Sequence, residues 1–156
     1  MAMRVPHRVD FHTLLLTTAG SGRHLIDFSV HQCVPGTISW ARPDQVQRVE
    51  PGAHLEVVAL LVRRDALLLP GFSDRLDAHP PERLAWTLND EDRRAVVEAL
   101  ERVEQDIAGE RHDLVRARST TILLELERYS RPHASSIDAP SARLVAGIRT
   151  AINTHF

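Results

Sequence analysis

Nine histidines, one cysteine and two tryptophans are the side chains of this 156-residue chain with the widest chemical reach, and their spacing limits what they can do. Cys33 lies just before the turn signal Pro35-Gly36, with no base placed to activate a thiolate. As the sole cysteine it excludes an intramolecular disulfide and a cysteine-based metal site. The serines fall in turns and caps rather than in a nucleophile elbow, and phosphate-loop and dinucleotide fingerprints are absent. No catalytic residue is therefore assigned. What remains is recognition chemistry. His24 can donate to a ligand or brace a strand edge, Trp40 offers a stacking surface or a core filler, and Arg4 and Arg8 could close over an anionic group.

The elements that must position these groups are short. From Arg4 to about Arg64 the favoured period is two: apolar Phe11 to Ala19, a Gly20-Ser21-Gly22 hairpin, then Arg23 to Phe28 returning antiparallel. Ser29 to Val34 and Thr37 to Arg42 flank Pro35-Gly36, and Val46 to Glu50 and Leu55 to Val62 flank Pro51-Gly52. Proline sets the first corner of such a turn and glycine accepts positive φ at the second. Six or seven short strands protect their edges best as a sandwich or barrel. Leu84 to Leu88 reads as a further edge strand, beyond breaks at Pro70-Gly71 and Pro80-Pro81.

The period then changes. Asn89 or Asp90 supplies an N-cap, the acidic run Asp90, Glu91, Asp92 suits the positive end of a helix dipole, and Gly109 stops the helix. Val96, Leu100, Val103 and Ile107 fall at a/d-like spacing, a seam assigned here to dimerisation. A second helix runs from about His112 to Tyr129, with Leu114, Val115, Ile122, Leu123 and Leu126 as its apolar side chains. Ser130 to Pro140 reads as a polar linker, and Leu144, Ile148, Ile152 and Phe156 as one stripe of a third helix, cut short.

Composition narrows the classes further. Nineteen basic residues, all arginine, stand against twenty-one acidic ones for a net charge of -2, so no global basic field is available for nucleic acid. The exclusive use of arginine reads as genomic codon bias rather than as phosphate sites. No apolar run reaches the ~18 residues of a membrane span and no signal-peptide pattern opens the chain, which points to a reducing, cytoplasmic setting.

The string from Pro6 to Leu16, followed by Gly20-Ser21-Gly22-Arg23-His24-Leu25-Ile26-Asp27-Phe28, Pro35-Gly36-Thr37 and Arg42-Pro43-Asp44-Gln45-Val46-Gln47, resembles the N-terminal cupin-like sensor and dimerisation domain of AraC-type transcription regulators. The resemblance implies an α+β fold: a cupin-like antiparallel barrel of jelly-roll type over residues 1–88, and a helical dimerisation segment over 89–130. It further implies a linker over 131–140 and, over 141–156, the start of a truncated helix-turn-helix DNA-binding domain. Many cupins hold a metal with two histidines two apart, a glutamate and a late histidine. Here those places read His7-Arg8-Val9, Phe11-His12-Thr13 and Gln47, too few ligands for a metal or any other cofactor. If Gln47 keeps the inward place of the late ligand, strand parity turns Gln45 inward too, and aligns His7 with Val9, Phe11 and Thr13. The expected pocket draws on Arg4, His7, Thr13, His24, Trp40 and Gln47 and is mostly apolar, since Leu55 to Leu61 has little polar character beyond Glu56.

The reading is a regulatory, non-enzymatic chain that senses a small-molecule effector and forms a homodimer, with DNA contacted through a C-terminal domain. The rival readings are a small cupin enzyme and a ligand-free dimerisation module. With a net charge of -2, this chain should give no gel shift with duplex DNA at physiological salt; tight binding there would overturn the charge argument.

Overall fold

The computed structural model describes residues 4–78 and 83–130. Eight strands form two antiparallel four-stranded sheets: β1 (His7–Arg8), β2 (Phe11–Ala19), β3 (Gly22–Ile26), β4 (Ser29–Cys33), β5 (Thr37–Ala41), β6 (Val46–Pro51), β7 (Glu56–Arg63) and β8 (Ala85–Thr87). The inner sheet runs β1-β6-β3-β4 and the helix-bearing sheet β7-β2-β5-β8. Between β7 and β8 lies a crossing segment containing a 3-10 turn (Arg64–Ala66) and α1 (Phe72–Ala78). The long helices α2 (Asp90–Ala108) and α3 (His112–Ser130) follow. The fold is α+β, as expected. The brief β1 and α1 were not legible in the period. The linker and the third helix of the sequence reading lie outside the described residues.

Two turns differ from their sequence signals. Strand β6 continues through Pro51, Gly52 takes no left-handed φ, and the corner falls instead at Ala53-His54, with His54 at φ 51°. The β3–β4 hairpin turns at Asp27-Phe28 without glycine, with Asp27 at φ 51°. Its carboxylate is held by the Val46 amide at 3.0 Å and by Gln45 Nε2 at 2.8 Å. Aspartate tolerates that conformation because its short side chain bonds locally. Gly20 is obligatory: its φ is 72°, and a Cβ there would lie 2.0 Å from the His54 carbonyl oxygen.

The main core lies between the helix-bearing sheet and the helices. Leu14, Leu16, Ile38, Trp40, Leu60 and Val62 of the sheet pack with Phe72 and Leu76 of α1, Val96 and Val103 of α2, and Ile122, Leu123 and Leu126 of α3. This corrects the dimer seam. Val96 and Val103 are buried against their own sheet and Leu100 is packed beside them, leaving only Ile107 largely exposed, at 59%. An a/d-like stripe is equally what a helix needs to cover a sheet.

Polar ties fix the helical pair. Asn89 caps α2 by accepting from the Asp92 amide at 2.8 Å. Buried Asp106 takes both Arg111, at 2.9 Å, and Arg118, locking the α2–α3 corner and holding its carboxyl below the usual range. Down one side of α3, Arg116 donates to the carbonyls of Ala66 and Asp65, Thr120 accepts from the Leu68 amide, and Glu127 pairs with Arg75 at 2.9 Å. Substituting Gly20→Ala should cost at least about 1–3 kcal/mol, from left-handed strain plus the overlap with His54, read as a lowered urea midpoint. An unchanged midpoint would refute the close approach.

Candidate functional site

Strands β2 and β5 are buried on both faces, so alternation sends two kinds of side chain in opposite directions. Leu14, Leu16, Ile38 and Trp40 go to the helices. Thr13, Leu15, Thr17 and Ser39 go into the space between the sheets. There they meet His24, Ile26 and Gln47 of the inner sheet, all buried.

A directed chain of hydrogen bonds crosses this interior. Burial is the main cause that lowers the His24 pKa to about 4, so the ring is neutral near pH 7. Its Nε2–H donates to Gln47 Oε1 at 3.2 Å, which leaves Nδ1 to accept from the Ser39 hydroxyl at 2.8 Å. Gln47 Nε2 then donates to Thr13 Oγ1 at 2.9 Å. The path starts on one sheet, passes through two side chains of the other, and returns. A further cross-sheet link joins Thr17 to Cys33, whose thiol pKa is raised by burial.

Three more groups face the same way by register. His31 stands opposite His24, and His7 stands opposite Gln47. The buried His31 Nε2 has no hydrogen-bond partner, and burial lowers the pKa of that ring too. His7 is half-buried, with Nδ1 donating to the Val5 carbonyl at 2.8 Å. Toward one end, Ile26, Ala41 and Leu84 form a small separate apolar cluster. Among the described residues, this interior is lined by hydroxyls, an amide, imidazoles and aliphatic groups, with no carboxylate or guanidinium on the facing positions of β2, β3, β5 or β6.

Four of the residues expected at a pocket, His7, Thr13, His24 and Gln47, are thus placed on facing inner surfaces. Two are not. Trp40 is wholly buried on the opposite face, where its Nε1–H donates to His12 Nδ1 at 3.3 Å and the Arg42 guanidinium lies 4.2 Å from its ring centroid. Strand parity separates it from Ser39, so it serves the core. Arg4 is exposed, as is Arg8, and neither makes a printed contact with the interior. Gln45 is a turn brace, accepting from the Arg42 amide at 2.8 Å and donating to Asp27. The interior is also more polar than Leu55 to Leu61 suggested, because the other strands supply its polar groups. Ser39, Thr17 and His31 were missed; the alternation Thr37, Ser39, Ala41 against Ile38 and Trp40 carried the signal for Ser39.

Among the described residues no cluster of three or more histidine, cysteine, aspartate or glutamate side chains is arranged to hold a metal ion. No helix among them is long and apolar enough to cross a membrane. A family model described as the AraC-like ligand binding domain matches residues 3–126. No curated protein sequence matches the chain. Among solved structures, the AraC-like transcriptional activator CuxR is similar with a TM-score of 0.56 at 12% identity, over 94% of this chain and 53% of that one. The chain therefore spans about half the length of that activator.

The buried imidazoles make stability depend on pH. His24 and His12 have folded-state pKa values of about 4 and about 3, below the ordinary 6.5, so the unfolded chain binds more protons between those limits. Stability is complete above pH 6.5 and falls on acidification, by up to roughly 1.4 kcal/mol per pH unit for each fully titrating ring. Urea midpoints measured from pH 7 to 4.5 should show this slope, and His24→Gln should flatten it. A flat wild-type profile would rule out the neutral, buried assignment.

Proposed function

The chain belongs to the AraC-like ligand-binding domain family, and from that premise we propose that it is the effector-sensing and pairing part of a transcription regulator. The observation that carries the reading is the chain Ser39–His24–Gln47–Thr13, a row of neutral donors and acceptors lying between the two sheets. A ligand entering there exchanges its own hydroxyl, carbonyl or amide groups for bonds these side chains now make with each other. Because no opposite charge waits on the facing positions, a carboxylate or ammonium would lose its hydration uncompensated. The effector is accordingly a small uncharged molecule with both donors and acceptors. The residues proposed to meet it are Thr13, His24, Ser39 and Gln47, with His7 and His31 beside them.

Access fits this reading. Ala59 and Leu61 share the inner face with Leu15 and Thr13 by register, and both are exposed, so the interior approaches solvent along β7. Sensing follows only if the effector favours one of two arrangements of the chain, since equal affinity shifts nothing. The crossing segment provides a physical connection, because Arg42 Nη1 donates to the Leu76 carbonyl at 2.9 Å while Arg75, one residue earlier, pairs with Glu127 near the end of α3. In this reading the protein acts in the cytoplasm as a homodimer, catalyses no reaction, and leaves DNA contact to a domain other than residues 4–130.

A second reading, a pairing module without a ligand, draws on the same network, since its members already satisfy one another. A thermal-shift screen separates the two. An uncharged ligand at a hundredfold excess over its dissociation constant should add about 2.7 kcal/mol of stability. The effect should shrink in Gln47→Ala and Ser39→Ala proteins that remain folded, and carboxylate analogues should be inert. A screen in which only anionic compounds stabilise would overturn the effector class, and one without any stabilising compound would favour the pairing module.

A further inference from the structure

Four strands stand at sheet edges, and three are blunted. Strand β1 has two residues, β8 has three, and β4 is five residues of mainly polar character. Strand β7 is different. It has eight residues, EVVALLVR, pairs only with β2 among the described residues, and contains no proline or charge between Glu56 and Arg63. Val58 and Leu61 on it are 41% and 48% exposed. Long unprotected edges of this kind are templates for adding another strand.

We propose that β7 pairs edge to edge with β7 of a second copy of this chain, joining two four-stranded sheets into one. This rests on the reading that the chain forms a homodimer, and it replaces the α2 seam, which is buried within one chain. The strand's own order selects the partner. A two-fold axis perpendicular to the sheet requires facing residues of equal parity. With the axis at Leu60, Val58 faces the partner's Val62, Ala59 faces the partner's Leu61, and Glu56 faces the partner's Arg64. Both ends of the pairing are then closed by opposite charges, on side chains that are solvent-accessible in the single chain. Moving the axis to Ala59 sets Glu56 against the partner's Val62 and loses both charge pairs. The sequence therefore favours one register.

The same arrangement gives the dimer a share in the site. Ala59 and Leu61 belong to the exposed rim of the inner face, so the partner's Leu61 and Ala59 extend that rim. On the other face Val58 borders an apolar cleft with Leu100, Val96 and Leu126, and the partner's Val62 adds to its wall.

Sedimentation velocity at micromolar to submillimolar concentration tests the proposal. The wild-type chain should dimerise, and Val58→Lys and Leu61→Lys, at exposed positions, should weaken association by about tenfold or more with unchanged circular dichroism. Glu56→Arg and Arg64→Glu should each be monomeric alone, and an equimolar mixture should recover the dimer because both end pairs become complementary again. A monomeric wild type, or a dimer indifferent to both lysines, overturns the interface. Failure of the mixture to recover overturns the register. The effector reading is checked separately, because ligand-induced thermal shifts in Val58→Lys do not require pairing.

Discussion

Burial of β2 and β5 on both faces is the constraint on which the rest depends. All five residues of β5 are buried, as are six of nine in β2. A strand in that position has to be apolar toward one neighbour and, if it carries hydroxyls toward the other, has to find them partners. A buried hydroxyl left unbonded costs about 1–3 kcal/mol. Thr13, Thr17 and Ser39 are tolerated because Gln47, Cys33 and His24 stand opposite on the second sheet. The other face needs the helices equally, since Leu14, Leu16, Ile38 and Trp40 would otherwise be open to water. One hydrophobic cluster therefore joins residues on both sides of Leu88.

Strand and helix positions were legible because turns and caps announce themselves locally. Phe11 to Ala19 could be read directly, as could α2, bounded by Asn89 and Gly109. Direction was harder. Alternation tells which residues of β5 share a face, but not which face meets the helices, so Trp40 was offered to the ligand although Ser39 is the residue facing His24. The seam of α2 failed for a related reason: its spacing states that one stripe is apolar, and whether a sheet or a second helix covers it is a tertiary fact. Short elements carried no signal. Strand β1 exists because of its partner β6, and α1 because Phe72 and Leu76 reach the core beside Trp40.

His12 shows how a titratable group can be spent on packing. Its ring meets Trp40 edge-on with centroids 5.8 Å apart, its Nδ1 takes the indole proton, and its buried Nε2 has no partner. Burial, then the positive charges of Arg42 and Arg64, hold its pKa near 3. Neutrality there keeps a third positive charge away from the two guanidinium groups. His24 is neutral mainly through burial as well, but it retains two oriented bonds and sits among other polar groups. Two histidines with similar titration thus belong to opposite faces and different tasks.

The grip of α3 on the crossing segment has an asymmetric evolutionary consequence. Arg116 and Thr120 reach main-chain atoms of Asp65, Ala66 and Leu68, not their side chains. Main-chain atoms are the same whatever residue carries them. Drift at those three positions leaves the attachment intact, whereas drift at Arg116 or Thr120 removes it. Among relatives sharing this geometry, variation should collect on the crossing segment while the helix positions that hold it stay fixed. An otherwise featureless loop thereby becomes a surface on which new contacts can be tried without loosening what it is fastened to.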